Sequence, residues 1–189
     1  MSGKLAQVKQ LVKAGAKIDE QKEDGFTLLM LAASRGDSKL TEYLIKQGAD
    51  VNLRNEIGQT ALMIAALGGH EPIVEQLALS GADVCAVDDN KRNAITWAAS
   101  RGDFPNVVSR LIVLGTDYNA RDRQGLTPLM RAAALGFDNS VGILLAAGAD
   151  AAISHRGKTA YDMASEKGHS KVCQTIKTIL ENRPKSHAL

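Results

Sequence analysis

Large rings are scarce in this chain. One Trp, three Tyr and three Phe are spread over 189 residues, although 44% of the residues are hydrophobic. An interior filled by Ala, Leu and Ile without large rings fits thin packed layers better than one deep globular centre. Cysteine is nearly absent: Cys85 and Cys173 lie far apart and cannot make a framework of bridges, which points to a reducing, intracellular setting. No apolar run approaches the roughly 18 residues of a membrane span, and Met1-Ser2-Gly3-Lys4 leads into no signal-peptide core. A soluble chain without a membrane partner is expected. Charge is balanced, with 23 Lys and Arg against 21 Asp and Glu, a net of +2, so bulk electrostatics name no polyanion. Basic residues offset by acids and few stacking aromatics argue against nucleic acid.

Catalytic constellations are missing too. There is no phosphate-cradling glycine loop and no H-E-x-x-H. The four histidines are scattered, and neither cysteine has a second Cys or His at ligand spacing. Asp83, Asp88 and Asp89 read as solvated loop carboxylates rather than a cation site. No enzyme, metal or cofactor is expected within these residues. Arg-Gly-Asp occurs at Arg35-Gly36-Asp37 and Arg101-Gly102-Asp103, but both copies fall at one repeat position, where the glycine is expected to cap a helix.

What is present is a repeat. Gly25, Thr27, Leu29, Ala32, Ala33, Gly36, Leu44, Gly48, Ala49 and Asp50 return 33 residues later as Gly58, Thr60, Leu62, Ala65, Ala66, Gly69, Leu77, Gly81, Ala82 and Asp83. They return again around Asn93 to Asp117 and Gly125 to Asp150, then fade after Gly157. Such self-similarity is the signature of a solenoid. Thr27, Thr60, Asn93, Thr127 and Thr159 are N-caps of first helices, and Pro128 fits the first turn. Gly36, Gly69, Gly102, Gly136 and Gly168 are expected to close those helices in a left-handed cap. A buried column is expected along Leu11, Leu44, Leu77, Leu111, Leu144 and Ile176. Three slips interrupt the period: Lys91 replaces the turn glycine, one residue is added near Asp103-Phe104-Pro105, and one is lost between Gly148 and Gly157.

The motif resembles the ankyrin repeat, whose T-P-L-H-x-A opening is closest in Thr127-Pro128-Leu129-Met130-Arg131-Ala132. The family's His is replaced by Met30, Met63, Thr96, Met130 and Asp162, and the Leu-Met pairs give the chain a bacterial look. The resemblance implies an all-α solenoid of stacked helix-turn-helix units with short β-turn or hairpin fingers. Residues 1–182 form one domain in this reading: a half repeat at 3–23, full repeats at 24–56, 57–89, 90–123 and 124–155, and a capping repeat at 156–182. Residues 183–189 are expected to be a flexible tail.

The resemblance also implies a concave groove, lined by finger tips and first helices, that binds a partner protein or peptide. Carried onto this chain, the groove residues are Arg35, Arg54, Ile57, Arg92, Trp97, Arg101, Arg121, Arg123, Leu126, Arg131 and Leu135. Glu20, Glu23 and Asp24 make its N-terminal lip acidic, whereas the arginines make the other half basic. Arginine favours forked recognition of carboxylate or phosphate, so an acidic or amphipathic partner segment is expected, weakened by Glu at Arg101 and Arg131. A cytoplasmic monomer is expected, or the host-cell cytosol for a secreted effector. One alternative is a regulatory or targeting segment of a larger enzyme or effector; another is an architectural role through end-to-end joining.

Overall fold

A computed structural model describes residues 2–182, with side chains from residue 5; the expected tail at 183–189 lies outside the described residues. Eleven α-helices follow one another among the described residues. They are α1 (Ser2–Lys13), α2 (Leu28–Ser34), α3 (Ser38–Lys46), α4 (Ala61–Leu67), α5 (Glu71–Leu79) and α6 (Ala94–Ala98). Then come α7 (Pro105–Val113), α8 (Pro128–Leu135), α9 (Asp138–Ala146), α10 (Ala160–Glu166) and α11 (Ser170–Glu181). The first helices stack as one layer, α2, α4, α6, α8, α10; the second helices stack behind them as α3, α5, α7, α9, α11. This is the all-α repeat solenoid that the resemblance implies.

The first helices span only 5 to 8 residues, well short of the roughly 12–15 at which an isolated helix becomes even marginal. Two things compensate. Each has a side-chain N-cap: Thr27, Thr60, Asn93, Thr127 and Thr159 accept from the backbone N–H three residues on. Each also buries its Ala-rich face between two neighbours, with Ala33, Ala65, Ala66, Ala98, Ala99, Ala132, Ala133 and Ala164 fully enclosed. Small side chains there allow close helix approach, so stability is a sum over interfaces.

Leu44, Leu77, Leu111, Leu144 and Ile176 form the expected column between the layers, all buried. Leu11 does not join them. It is 60% exposed, because among the described residues no first helix precedes and pairs with α1, which turns that edge outward. Gly102 also departs from its expected role. Gly36, Gly69, Gly136 and Gly168 all take φ near +70°, but Gly102 does not. The residue added in that copy lengthens the connection, α6 ends at Ala98, and the chain reverses without a left-handed step.

The extra residue also redirects Asp103. In the earlier copy Asp37 caps its own second helix, accepting from the Leu40 N–H at 3.0 Å. Asp103 instead reaches across to α9, accepting from the Ser140 N–H and Oγ at 2.8 and 2.6 Å and from the Asn139 N–H and Nδ2 at 3.1 and 3.0 Å. Burial pushes the Asp103 carboxyl up, but these hydrogen bonds from Ser140 and Asn139 outweigh it and hold it below its ordinary value. Both Arg-Gly-Asp carboxylates are therefore engaged as internal caps.

Candidate functional site

Each finger begins as a backbone turn. In the second finger the Asn55 N–H donates to Gln59 O and the Gly58 N–H to Asn55 O; Lys22, Asp88 and Asp122 open the other three turns in the same way. The Asn55 side chain reinforces its turn, its Oδ1 accepting from the Ile57 and Gln59 N–H groups. The fingers join edge to edge: Glu56 N–H donates to Asp24 O, Asp89 N–H to Ile57 O, and Arg123 N–H to Asn90 O. The row of tips is thus continuous from residue 24 to residue 123.

The two turn irregularities resolve differently. Lys91 keeps the turn by taking φ +59°, the left-handed conformation its glycine counterparts adopt. The shortened last finger becomes a two-residue hairpin, with His155 and Lys158 exchanging both backbone bonds and Arg156 and Gly157 at φ +51° and +77°. Positive φ at both central residues is what a type I′ hairpin turn requires.

In the third and fourth fingers the Asn of the second is replaced by Asp88 and Asp122. One oxygen of each still serves the turn: Asp88 Oδ1 accepts from Asn90 and Arg92 N–H, and Asp122 Oδ1 from Gln124 and Leu126 N–H. The other oxygen is a carboxylate oxygen rather than an amide, and each captures an arginine. Asp88 Oδ2 takes Arg92 Nε at 2.9 Å and Nη2 at 2.8 Å. Asp122 Oδ2 takes Arg131 through Nε at 2.8 Å and through Nη2. Both aspartates are buried, at 3% and 5% exposure. Asp88 is therefore a paired turn residue, not the solvated carboxylate expected from sequence.

These pairs change what the arginine row offers. Arg92 and Arg131 are largely covered and already neutralised, so they are not the freely presented cations that the sequence leads one to expect. Arg92 lies over Trp97, its guanidinium carbon 3.7 Å from the ring centroid, and Trp97 is half-buried beneath it. A planar cation on an indole face is a favourable contact. It also means that one face of Trp97 is occupied from within. Arg54 is tied forward to the next finger, donating to Val87 O at 2.7 Å and lying 3.8 Å from Asp89.

Arg35, Arg101, Arg121 and Arg123 are exposed, and no hydrogen bond or ion pair engages their side chains among the described residues. Ile57 and Leu135 are each 48% exposed, and Leu126 is half-buried on its turn. Arg92, Arg123 and Arg131 converge with Asn90, Asp122 and Gln124 on one cavity of about 270 Å³ between the third and fourth fingers. Arg35 instead lines a separate cleft of about 340 Å³ between α1, α2 and α3. The Asp–Arg pairing was missed in sequence. Its signal was there: an Asp where another turn has Asn, and an Arg on a first helix where other copies carry Leu31, Ile64, Trp97 and Met163.

A solenoid of short capped helices joined by a continuous row of turn fingers is the architecture of an ankyrin array. The family model for ankyrin repeats matches three times, at residues 1–88, 68–155 and 95–183, and the chain belongs to that family. Among curated proteins it is similar to the mitochondrial disaggregase of Bos taurus, at 43% identity over 70 residues. That match covers 37% of this chain and 10% of the relative. Ankyrin repeats in general are protein–protein interaction modules. No helix among the described residues is long and apolar enough to cross a membrane.

Proposed function

We propose that the chain is a non-enzymatic binding module, and that an acidic or amphipathic segment of a partner protein lies across its fingers and first helices. The observation that carries this reading is the set of exposed arginines without internal partners among the described residues, Arg101, Arg121 and Arg123, on a row of fingers and first helices that also exposes Ile57 and Leu135. Unpaired cations beside apolar side chains fit an interface in which charge steers the encounter and burial holds it. The paired Arg92 and Arg131 build the surface and supply little steering.

The test is affinity capture from lysate of the source cells with the wild-type chain and with an Arg101→Glu, Arg121→Glu double variant. Both residues are exposed and without a side-chain partner among the described residues, so the substitutions leave the fold intact. A protein retained by the wild type and lost by the variant supports the reading; equal retention refutes this placement. Arg131 is a poor probe, since Glu there would face the buried Asp122 carboxylate.

A second reading is a regulatory or targeting segment of a larger protein. It draws on the similarity to a stretch making up only a tenth of a much longer relative. The length of the native reading frame tests it.

A further inference from the structure

The cavity between the third and fourth fingers has a specific electrostatic balance. Three guanidinium groups line it, Arg92, Arg123 and Arg131. Two buried carboxylates, Asp88 and Asp122, oppose them. One positive charge is left over. Two of the three guanidinium groups, those of Arg92 and Arg131, are held in place before any ligand arrives. Arg131 is gripped by Asp122 and by Gln124 Oε1 at 3.3 Å, and Arg92 by Asp88 from the side and Trp97 from below. Both spend Nε and Nη2 on these partners, and neither Nη1 has an acceptor among the described residues. Arg123 is anchored through its backbone to Asn90 O at 2.8 Å while its side chain is unengaged. Donors fixed in advance lose little freedom on binding.

We infer that this cavity receives one carboxylate side chain, an Asp or Glu of the partner's acidic segment, on the unspent guanidinium donors of Arg92, Arg123 and Arg131. The inference rests on the binding reading above and names its recognition chemistry. A single surplus positive charge matches a carboxylate. A phosphoryl group carries about −1.5 to −2 charge at neutral pH, which would leave excess negative charge against Asp88 and Asp122. A neutral amide of the same shape would leave the surplus charge unanswered.

The probe is a fluorescein-labelled twelve-residue peptide of alternating Glu and Ser, followed by anisotropy at low ionic strength. A Gln-for-Glu version and a version with phosphoserine in place of Glu serve as comparisons. Arg123→Gln removes the unengaged cation of the pocket. Arg156→Gln is the control, an equal charge change at an exposed arginine of the last finger. The expected result is about tenfold weaker binding of the Glu peptide by Arg123→Gln, as for loss of a charge-assisted contact, with less than about twofold loss for the control. The Gln peptide should not bind, and phosphoserine should not improve affinity. Equal loss in both variants would mean diffuse attraction and overturn the pocket. So would tighter binding of the phosphoserine peptide, or no binding of the Glu peptide. None of these outcomes depends on Arg101 and Arg121, so the wider binding reading stands or falls separately on the capture experiment.

Discussion

Lys91 should be replaceable by glycine with a gain in stability. It sits at φ +59° where the second and fourth fingers have Gly58 and Gly125, and its exposed side chain engages nothing among the described residues. For an L-residue the left-handed conformation costs roughly 1–2 kcal/mol. Glycine removes that cost but gives the unfolded chain more freedom, worth about 0.4–1 kcal/mol in the other direction. The net expectation is about 0.5–1 kcal/mol of stabilisation, or a rise in Tm of about 1–4 °C for a chain of this size. The reciprocal change, Gly58→Lys, should be worse than a simple reversal. A Cβ there would lie 2.5 Å from Asp89 Oδ1 and 2.9 Å from the Asp89 backbone nitrogen, which donates to Ile57 O in the bond joining the fingers. Conformational cost and crowding together give about 2–4 kcal/mol of destabilisation. Thermal unfolding followed by far-UV circular dichroism measures both. An unchanged or lowered Tm for Lys91→Gly would refute the argument that backbone strain, rather than a side-chain contact, is what distinguishes this turn.

Other residues give equally definite expectations. Ala98→Leu, at a position with no exposed surface between α4 and α8, should cost roughly 1–3 kcal/mol by overpacking; an unchanged urea midpoint would contradict the packing described. Asp122→Asn keeps the turn acceptor but strips Arg131 of its counter-charge, and should cost about 2 kcal/mol as a broken, partly screened ion pair, read in the same denaturant titration. Asp103 has a folded-state pKa below its ordinary value, so its stabilising contribution is complete above about pH 4, the unfolded carboxyl value, and is lost as pH falls through the lower folded value. Asp103→Asn should therefore be less stable than wild type at neutral pH and approach it in acid; a gap constant down to pH 2 would show that the carboxylate is not the stabilising form.

Most of the fold was legible because its grammar is local. Threonine or asparagine before each first helix, alanine pairs within it and leucine at a fixed offset each act within one repeat, so reading one copy reads them all. Leu11 and Gly102 escaped for a shared reason: analogy between copies assumes equivalent surroundings. Leu11 has the sequence context of the buried column but, among the described residues, no first helix of its own repeat to cover it, and Gly102 has the position of a cap glycine but a longer connection after it. The arginine row was legible as composition and not as electrostatics. Whether Arg131 presents charge or spends it depends on Asp122, nine residues away, and on one spare carboxylate oxygen that its turn leaves unused. Arg101 and Arg123 look no different in sequence, yet nothing among the described residues neutralises them. Two irregular fingers kept the required turn through positive φ at a non-glycine residue, Lys91 in the third finger and Arg156, beside Gly157, in the last.

The central claim is that the face of fingers and first helices binds an acidic partner, with unpaired arginines steering the approach. The most direct measurement is the association rate of the captured partner with the wild type and with the Arg101→Glu, Arg121→Glu variant, at about 50 and 300 mM salt, where the screening length falls from roughly 14 to 6 Å. Wild-type association should slow markedly with salt, while the variant should start slower and lose most of that dependence. Equal rates for the two proteins at both salt concentrations would contradict the account.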